Sequence, residues 1–253
     1  MLSLGVRSSL LAGRYVLNVE KLLSTSAVLC NGGAKIYKST RERELLSEYK
    51  AHGKNKVIRF EKTTPEDIPL LVDFMSEICE RQEPTSVSIG VTADEFKPFT
   101  AKIAEEGINY SLVFIDEDRV IGAGIGNVVT LDPKTAIEPR ILGNYGEIID
   151  AMADWLPSRK MRRVVAPAYE LCNMVSHFLP KDVKKVMRYE LCCVDKRAVG
   201  SNLINKCIYE VTMMGLRDGI KYGDVSGDCR SKPPCAHKER WQSILPHSIR
   251  KDV

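Results

Sequence analysis

A short loop between an apolar strand and an amphipathic helix has the residue types and the position to bind an anion. We expect the strand over 187–194, the loop over 195–202 and the helix from Leu203 onward. The helix is predicted by the apolar spacing of Leu203, Ile204, Cys207, Ile208, Val211 and Met214. Such a junction presents several backbone N–H groups with the positive end of the helix dipole behind them. Because phosphate commonly binds there, the loop predicts a phosphorylated cofactor, and a junction that binds nothing is the alternative.

Two other glycine-dependent phosphate sites are not supported by the sequence. No G-x-x-x-x-G-K-[ST] motif is present, which argues against a nucleoside triphosphatase of that type. Gly122, Gly124 and Gly126 alternate within the run 120–129, so they lie on one face of a predicted strand and not at a strand-to-helix turn. On a strand, such glycines allow a bulge or the close approach of a ligand backbone.

Length and composition are those of one sizeable domain with extensions. The chain has 253 residues, of which 44% are hydrophobic and 28% charged, and its formal net charge is +4. Basic residues are scattered and not interleaved with aromatic ones, so we expect no nucleic-acid partner. No apolar run reaches the roughly 18 residues of a membrane span, so we expect no membrane insertion. The sequence leaves the oligomeric state open.

The eight cysteines do not form a recognisable metal-binding pattern. No C-x-x-C pair occurs, and Cys229, Cys235 and His237 lack a fourth ligand at an established spacing. We therefore expect no metal. Several of the cysteines lie in apolar patterns, where a free thiol behaves as a small hydrophobic group, and a reducing compartment is the simpler interpretation.

The N-terminal segment has the composition of a mitochondrial transit peptide. No acidic residue occurs before Glu20, whereas Arg7 and Arg14 lie among serine, leucine and valine. Cleavage of this segment is expected between residues 27 and 33. The alternative is an N-terminal segment that carries no targeting signal, on a cytoplasmic protein. We divide the chain into a leader and polar linker over 1–56, a folded domain over 57–226 and an irregular polar tail over 227–253. Within the first part, 35–56 is predicted to be a linker or an exposed helix.

The domain is predicted to contain strands and helices in a mixed order. A strand at 57–60 precedes a helix that starts near Pro65 and ends before Pro84, and a second helix runs from Thr92 to Gly107. A hairpin follows at 110–115 and 120–129, then helices within 141–157 and 169–178. The strand at 187–194, its loop and its helix lead to a final strand within 219–225.

This order resembles the GCN5-related N-acetyltransferase superfamily, whose loop motif is [QR]-x-x-G-x-[GA]. The resemblance implies an α+β fold, an α/β/α sandwich with a mixed, mostly antiparallel central sheet flanked by helices. Arg197 and Gly200 match the motif, whereas Asn202 replaces its last residue. The resemblance implies acetyl-CoA as co-substrate, with its pyrophosphate bound by Arg197, Ala198, Val199, Gly200, Ser201 and Asn202. It also implies that a backbone N–H near Cys193 or Val194 contacts the thioester oxygen.

The sequence Glu83-Pro84-Thr85 after the first helix resembles the invertebrate arylalkylamine N-acetyltransferases. In that group a glutamate before proline is the general base, which implies that Glu83 accepts the proton of the amine. The alternative is that Glu83 is a solvated residue at a helix end. The expected function is acetyl-CoA-dependent N-acetylation of a small primary amine, an arylalkylamine. The alternatives are transfer to another small acceptor such as an amino acid, and a degenerate non-catalytic acyl-CoA-binding module.

The C-terminal part departs from the family pattern. After Val225 the family continues with a helix and a hairpin, whereas this chain has Pro233-Pro234 and a polar tail, so the C-terminal half-domain is predicted to be incomplete. The residue that protonates the coenzyme A thiolate has no secure match. Ser226, Ser231, Ser86 and Ser88 are candidates by position only. A weak or inactive enzyme is therefore an alternative to an active one.

Overall fold

A computed structural model describes residues 35–50, 56–131, 145–180, 182–198, 202–220 and 223–225. From Ile36 onward, these residues belong to one compact unit. The predicted leader before residue 34 and the predicted tail over 227–253, with Ser231 in it, lie outside the described residues. Ser226 lies outside them as well.

The described strands form one six-stranded sheet in which the strand order follows the chain order. The strands are β1 (Leu45–Lys50), β2 (Val57–Lys62), β3 (Tyr110–Asp116), β4 (Arg119–Thr130), β5 (Lys185–Val194) and β6 (Gly223–Val225). The first five are antiparallel to their neighbours, whereas β6 pairs with β5 in parallel. The predicted mixed and mostly antiparallel sheet is thus confirmed.

Helices cover both faces of the sheet. They are α1 (Ile68–Gln82), α2 (Pro84–Ile89), α3 (Ala93–Gly107), α4 (Gly146–Ala151), α5 (Arg159–Phe178) and α6 (Leu203–Arg217). One apolar core joins β3 and β4 to the helices from α1 to α5, and a second core joins the opposite face to α6. The arrangement is the predicted α/β/α sandwich. None of the described helices combines the length and the apolar character that crossing a membrane requires.

Local capping interactions set several helix boundaries. Before α1, the Thr64 N–H donates to Asp67 Oδ2 at 3.0 Å. Before α3, the Thr92 N–H donates to Glu95 Oε2 at 3.0 Å, while the Thr92 hydroxyl accepts from the Glu95 N–H at 3.3 Å. These reciprocal contacts satisfy backbone donors that the first helical turn leaves free. Pro84 ends α1 because it disfavours helical backbone in the residue before it.

The predicted linker over 35–56 is wrong for residues 45–50, which form the edge strand β1. Leu46 and Tyr49 pack against the core beneath α6. Just before β1, the Arg43 side chain is only 1% exposed and its Nη2 lies 2.7 Å from Asp67 Oδ1. The folded domain therefore begins before Val57. The strand was missed because only one face of an edge strand needs apolar residues, and the pairing partner of Arg43 is distant in sequence.

The alternating glycines of β4 make room for protein side chains and not for a ligand backbone. A Cβ atom on Gly122 would lie 2.2 Å from the Phe114 ring. On Gly124, it would lie 2.2 Å from Cys207 Sγ of α6, and on Gly126 it would meet α6 again. The glycines therefore allow α6 to approach the sheet closely. The expected bulge is present, because the β4–β5 register shifts between Ile125 and Gly126.

Candidate active site

The second half of β5 has an open edge within the described part of the chain. β6 pairs with β5 only from Met187 to Tyr189. The register shift against β4 falls at the next residue, Glu190, which has no direct partner on that strand. Beyond it, the described structure places no strand beside β5 on the β6 side. Backbone groups there are available to a ligand that lies between the two parallel strands.

Strand pairing decides which peptide groups face that edge. The Asp195 N–H donates to Ile121 O at 2.8 Å, and Cys193 lies opposite Ala123. In an antiparallel pair, alternate residues bond to the partner strand and the others point away. The N–H of Cys193 therefore points toward β4, whereas the N–H of Val194 points to the open edge. Of the two predicted candidates, only Val194 therefore has its N–H on the open edge.

The C-terminal end of α1 is fixed against the end of β5. Cys79 Sγ lies 3.4 Å from Cys193 Sγ, and both side chains are buried. This thiol contact, together with burial, raises the pKa of Cys193. One turn later, the Gln82 side-chain amide lies between Val194 O and the Lys196 N–H. With its nitrogen assigned toward Val194, as these two groups require, it donates to Val194 O at 3.2 Å and accepts from the Lys196 N–H at 3.3 Å. Gln82 was not predicted as a site residue, since nothing in the sequence indicates a contact so distant along the chain.

Glu83 directly follows Gln82, so these contacts place it at the end of β5. Its carboxylate caps α2: Oε1 accepts from the Thr85 N–H at 3.0 Å, and Oε2 accepts from the Ser86 N–H. Glu83 is therefore neither a free solvated side chain nor buried. Helix α2 itself was not predicted, although Pro84 at its first position and Gly90 in the left-handed conformation after its end are typical helix boundaries.

Two of the predicted serines lie on α2 and differ in their surroundings. Ser88 is exposed, and its hydroxyl donates to Thr85 O at 2.9 Å. Ser86 is fully buried, and its hydroxyl has no hydrogen-bond partner within the described structure. An unpaired buried hydroxyl costs free energy unless a water or a ligand satisfies it. Of these two serines, Ser86 is therefore the one with hydrogen-bonding capacity left beside Glu83.

The prediction that Arg197 and Ala198 offer their N–H groups to a pyrophosphate is not supported by the geometry. The Arg197 N–H donates to Asp195 Oδ1 at 2.9 Å, and the Ala198 N–H donates to Asp195 O at 2.7 Å. The Arg197 guanidinium also bonds to the Asp195 carboxylate. These hydrogen bonds lower the pKa of Asp195. Asp195 thus holds the start of the loop in a 3-10 turn, a role that the sequence pattern did not show.

The centre of the predicted motif, Val199, Gly200 and Ser201, lies outside the described residues. Asn202 follows in the left-handed conformation, with φ 57°. Its backbone oxygen accepts from the Lys206 N–H at 3.3 Å, and its side chain bonds to Asn205 and not to the backbone of α6. Asparagine is one of the few residues besides glycine that adopts left-handed backbone at modest cost.

A second carboxylate lies on β5, at the register shift. The Glu190 side chain is 11% exposed, and Arg188 Nε donates to its Oε1 at 2.6 Å. Burial raises the pKa of Glu190, and the charge of Arg188 acts in the opposite direction. Glu190 is therefore paired and largely buried, whereas Glu83 is partly exposed. Within the described residues, no cluster of three or more histidine, cysteine or acidic side chains could hold a metal ion.

Comparison with known proteins supports the architecture described above. No protein-family model matches the sequence, and no curated protein is significantly similar to it. The solved structure of the protein assigned as arylalkylamine N-acetyltransferase 7 of the yellow fever mosquito has a TM-score of 0.50 and 14% identity, covering 74% of this chain and 76% of that one.

Two other solved structures are less similar. Arylalkylamine N-acetyltransferase 2 of Aedes aegypti has a TM-score of 0.48 and 15% identity, covering 65% of this chain and 73% of its own. The polyamine N-acetyltransferase of Drosophila melanogaster has the same TM-score and identity, covering 69% and 77%. The comparison of folds therefore rests on the first mosquito protein. The chain shares its fold with that mosquito protein, in agreement with the fold expected from the resemblance to the GCN5-related N-acetyltransferase superfamily.

Proposed function

We propose that this chain transfers an acetyl group from acetyl-CoA to a small primary amine, with arylalkylamines as the first class to test. The observation that carries the proposal is the anchoring of α1 to the end of β5 by Cys79 and Gln82, directly before the candidate base Glu83. The open edge lies on the same half of β5, and α6 follows β5 along the chain.

The described residues fit acetyl-CoA in part. Val194 presents a peptide N–H to the open edge, where a thioester oxygen would gain a donor as negative charge develops on it. The first turn of α6 and residues 199–202 are the proposed contacts for the pyrophosphate. Arg197 and Ala198 are not among the N–H donors, since Asp195 occupies both of their groups.

In the proposed reaction, Glu83 accepts a proton from the ammonium of the acceptor. The free amine then attacks the thioester carbonyl carbon and a C–N bond forms. As the C–S bond breaks, the new amide nitrogen releases one proton and the departing coenzyme A thiolate takes up one. Ser86 is the proposed site for a water that links the amine to Glu83, because its buried hydroxyl lacks a partner within the described structure. Mitochondrial targeting by residues 1–33 stays a proposal of its own.

Binding and turnover should be measured separately on the purified full chain. We expect acetyl-CoA to raise the melting temperature, because a ligand at 100 times its dissociation constant stabilises the folded state by about 2.7 kcal/mol. N-acetylated product should then be identified by mass spectrometry over a panel that contains phenethylamine, tyramine, agmatine and amino acids. A thermal shift without product would favour the non-catalytic acyl-CoA-binding alternative. The absence of any shift at millimolar acetyl-CoA would refute both readings.

A further inference from the structure

A basic pocket lies at the start of α5. The cavity has a volume of about 380 Å³ and is lined by Ile149 of α4 and by Arg159, Lys160 and Arg163 of α5. Ser158 fixes the first turn of this helix, since its hydroxyl accepts from the Met161 N–H at 3.3 Å. Three cationic side chains therefore surround one cavity on a well-defined element.

Two of these cations are not compensated within the described structure. Lys160 Nζ lies 3.0 Å from Gly90 O and 3.9 Å from Glu95 Oε2. Arg159 and Arg163 form no ion pair or hydrogen bond among the described residues, and both are exposed. Like charges four residues apart on a helix destabilise it by roughly 0.2–0.5 kcal/mol. An anion between the two guanidinium groups would reverse the sign of that contribution.

Two further features of the pocket are the contact between α4 and α5 and the acidic side chains near the cavity. Arg162, which does not line the cavity, donates from Nη1 to Ile149 O at 3.1 Å and so joins α5 to α4. Glu95, the acid that lies near Lys160, accepts from the Thr92 N–H and from the Ser158 hydroxyl at 2.8 Å. The acids of α4, Glu147 and Asp150, are exposed and form no ion pair with the pocket cations within the described residues. The pocket therefore has a net positive charge.

The pocket and Glu83 lie at opposite ends of the same short helix. Glu83 precedes α2, and Lys160 bonds to the backbone of Gly90, which follows α2. With a rise of about 1.5 Å per residue, the seven steps between Glu83 and Gly90 correspond to about 10 Å. A small acceptor molecule can span that distance.

We propose that the pocket binds a carboxylate group carried by the acceptor, so that the preferred substrate is a primary amine with a carboxylate at its far end. This inference rests on the proposed function and names the substrate class of that site. Arginine pairs bind carboxylates through two parallel N–H···O bonds, and such charge-assisted bonds are stronger than neutral ones. The same positive charge disfavours acceptors that carry a second ammonium group.

The test compares the binding of phenethylamine and 4-(2-aminoethyl)benzoate by calorimetry, with and without coenzyme A. The two amines differ only in the distal carboxylate. We expect the carboxylate to tighten binding about tenfold or more, as hydrogen bonds to charged groups do. The gain should disappear in the double variant Arg159→Ala/Arg163→Ala and should shrink at high salt. Because both side chains are exposed, the variant is expected to fold, which circular dichroism and its melting temperature check.

Arg217→Ala is the matched control, since it removes an exposed positive charge at the end of α6, away from the pocket. It should keep the preference for the carboxylate. Equal affinity for the two amines, or a preference that survives the double arginine variant, would overturn the proposal. An equal loss of the carboxylate preference in Arg217→Ala would also overturn the proposal, since the preference would then depend only on the net charge of the protein. These measurements do not depend on turnover, so binding of the carboxylate amine without acetylation would refute the proposed activity and leave the pocket assignment intact.

Discussion

Replacing Glu83 should separate the observed role of its carboxylate as a helix cap from its proposed role as a general base. The side chain caps α2 through the N–H groups of Thr85 and Ser86, and it is the candidate base at the end of β5. Loss of an N-terminal cap costs about 0.5–2 kcal/mol. For a domain of this size, such a loss lowers the melting temperature by roughly 2–4 °C per kcal/mol. Loss of a general base lowers turnover about 100- to 10,000-fold.

Glu83→Gln and Glu83→Ala are expected to differ in stability and to agree in activity. The amide oxygen of glutamine can still accept an N–H, so Glu83→Gln should retain part of the cap, whereas alanine removes it. Neither variant has a carboxylate, so turnover should fall at least 100-fold in both, which corresponds to about 2.7 kcal/mol of activation free energy. Melting temperatures and single-turnover rates with a saturating amine measure the two effects separately.

Thr92→Ala provides the control, because Thr92 caps α3 with its side chain and its hydrogen bonds within the described structure are to Glu95 and Phe96 of that helix. It should lower the melting temperature by a comparable amount and leave turnover per folded molecule unchanged. If Glu83→Gln kept more than a tenth of the wild-type rate, proton transfer would have to occur elsewhere. Parallel losses of activity in Glu83→Gln and Thr92→Ala would show that Glu83 acts only through helix stability.

Two further predictions concern packing and pH. Gly124→Ala should destabilise the protein by about 1–3 kcal/mol in denaturant unfolding, because its Cβ would lie 2.2 Å from Cys207 Sγ. Adding Cys207→Ala should recover part of this loss, whereas additive effects would refute the close packing of α6. Burial opposes the charge of Asp67, but its hydrogen bonds from Arg43 and the Thr64 N–H outweigh this and lower its pKa. Its stabilising effect is therefore complete above the unfolded pKa of about 3.9 and is lost as the pH falls through the lower folded value, and Asp67→Asn should lack this part of the acid transition.

The parts of the fold that the sequence predicted are those encoded by local signals. The cap at Thr92, the proline at position 84 and the turn before Arg119 each act within a few residues, and the observed boundaries lie close to them. The start of α5 was placed too late, at Tyr169. The structure shows Pro167 within α5, which begins at Arg159 after the Ser158 cap.

The parts that could not be predicted depend on contacts between distant residues. β1 belongs to the sheet because it pairs with β2 and because Arg43, just before it, is buried against Asp67. Neither contact produces a periodic pattern of residues in the sequence. The candidate site shows the same limit. Glu83 was predicted from a two-residue resemblance, whereas its anchoring through Gln82 and the hold of Asp195 on the loop emerge only in three dimensions.

The capping role of Glu83 and its proposed role as a base are compatible because a carboxylate has about four acceptor positions. The two backbone N–H groups occupy one position on each oxygen, which leaves one on each for an ammonium group or a water. Accepting a proton would weaken at least one of the capping bonds, so proton transfer is coupled to the stability of α2. Gly90, which follows α2, accepts a hydrogen bond from Lys160. The stability of α2 is therefore also coupled to the pocket that is proposed to bind the far end of the acceptor. An acceptor whose carboxylate binds in the pocket beside Lys160 should therefore stabilise α2 while Glu83 accepts the proton. An amine without the carboxylate should not have this effect.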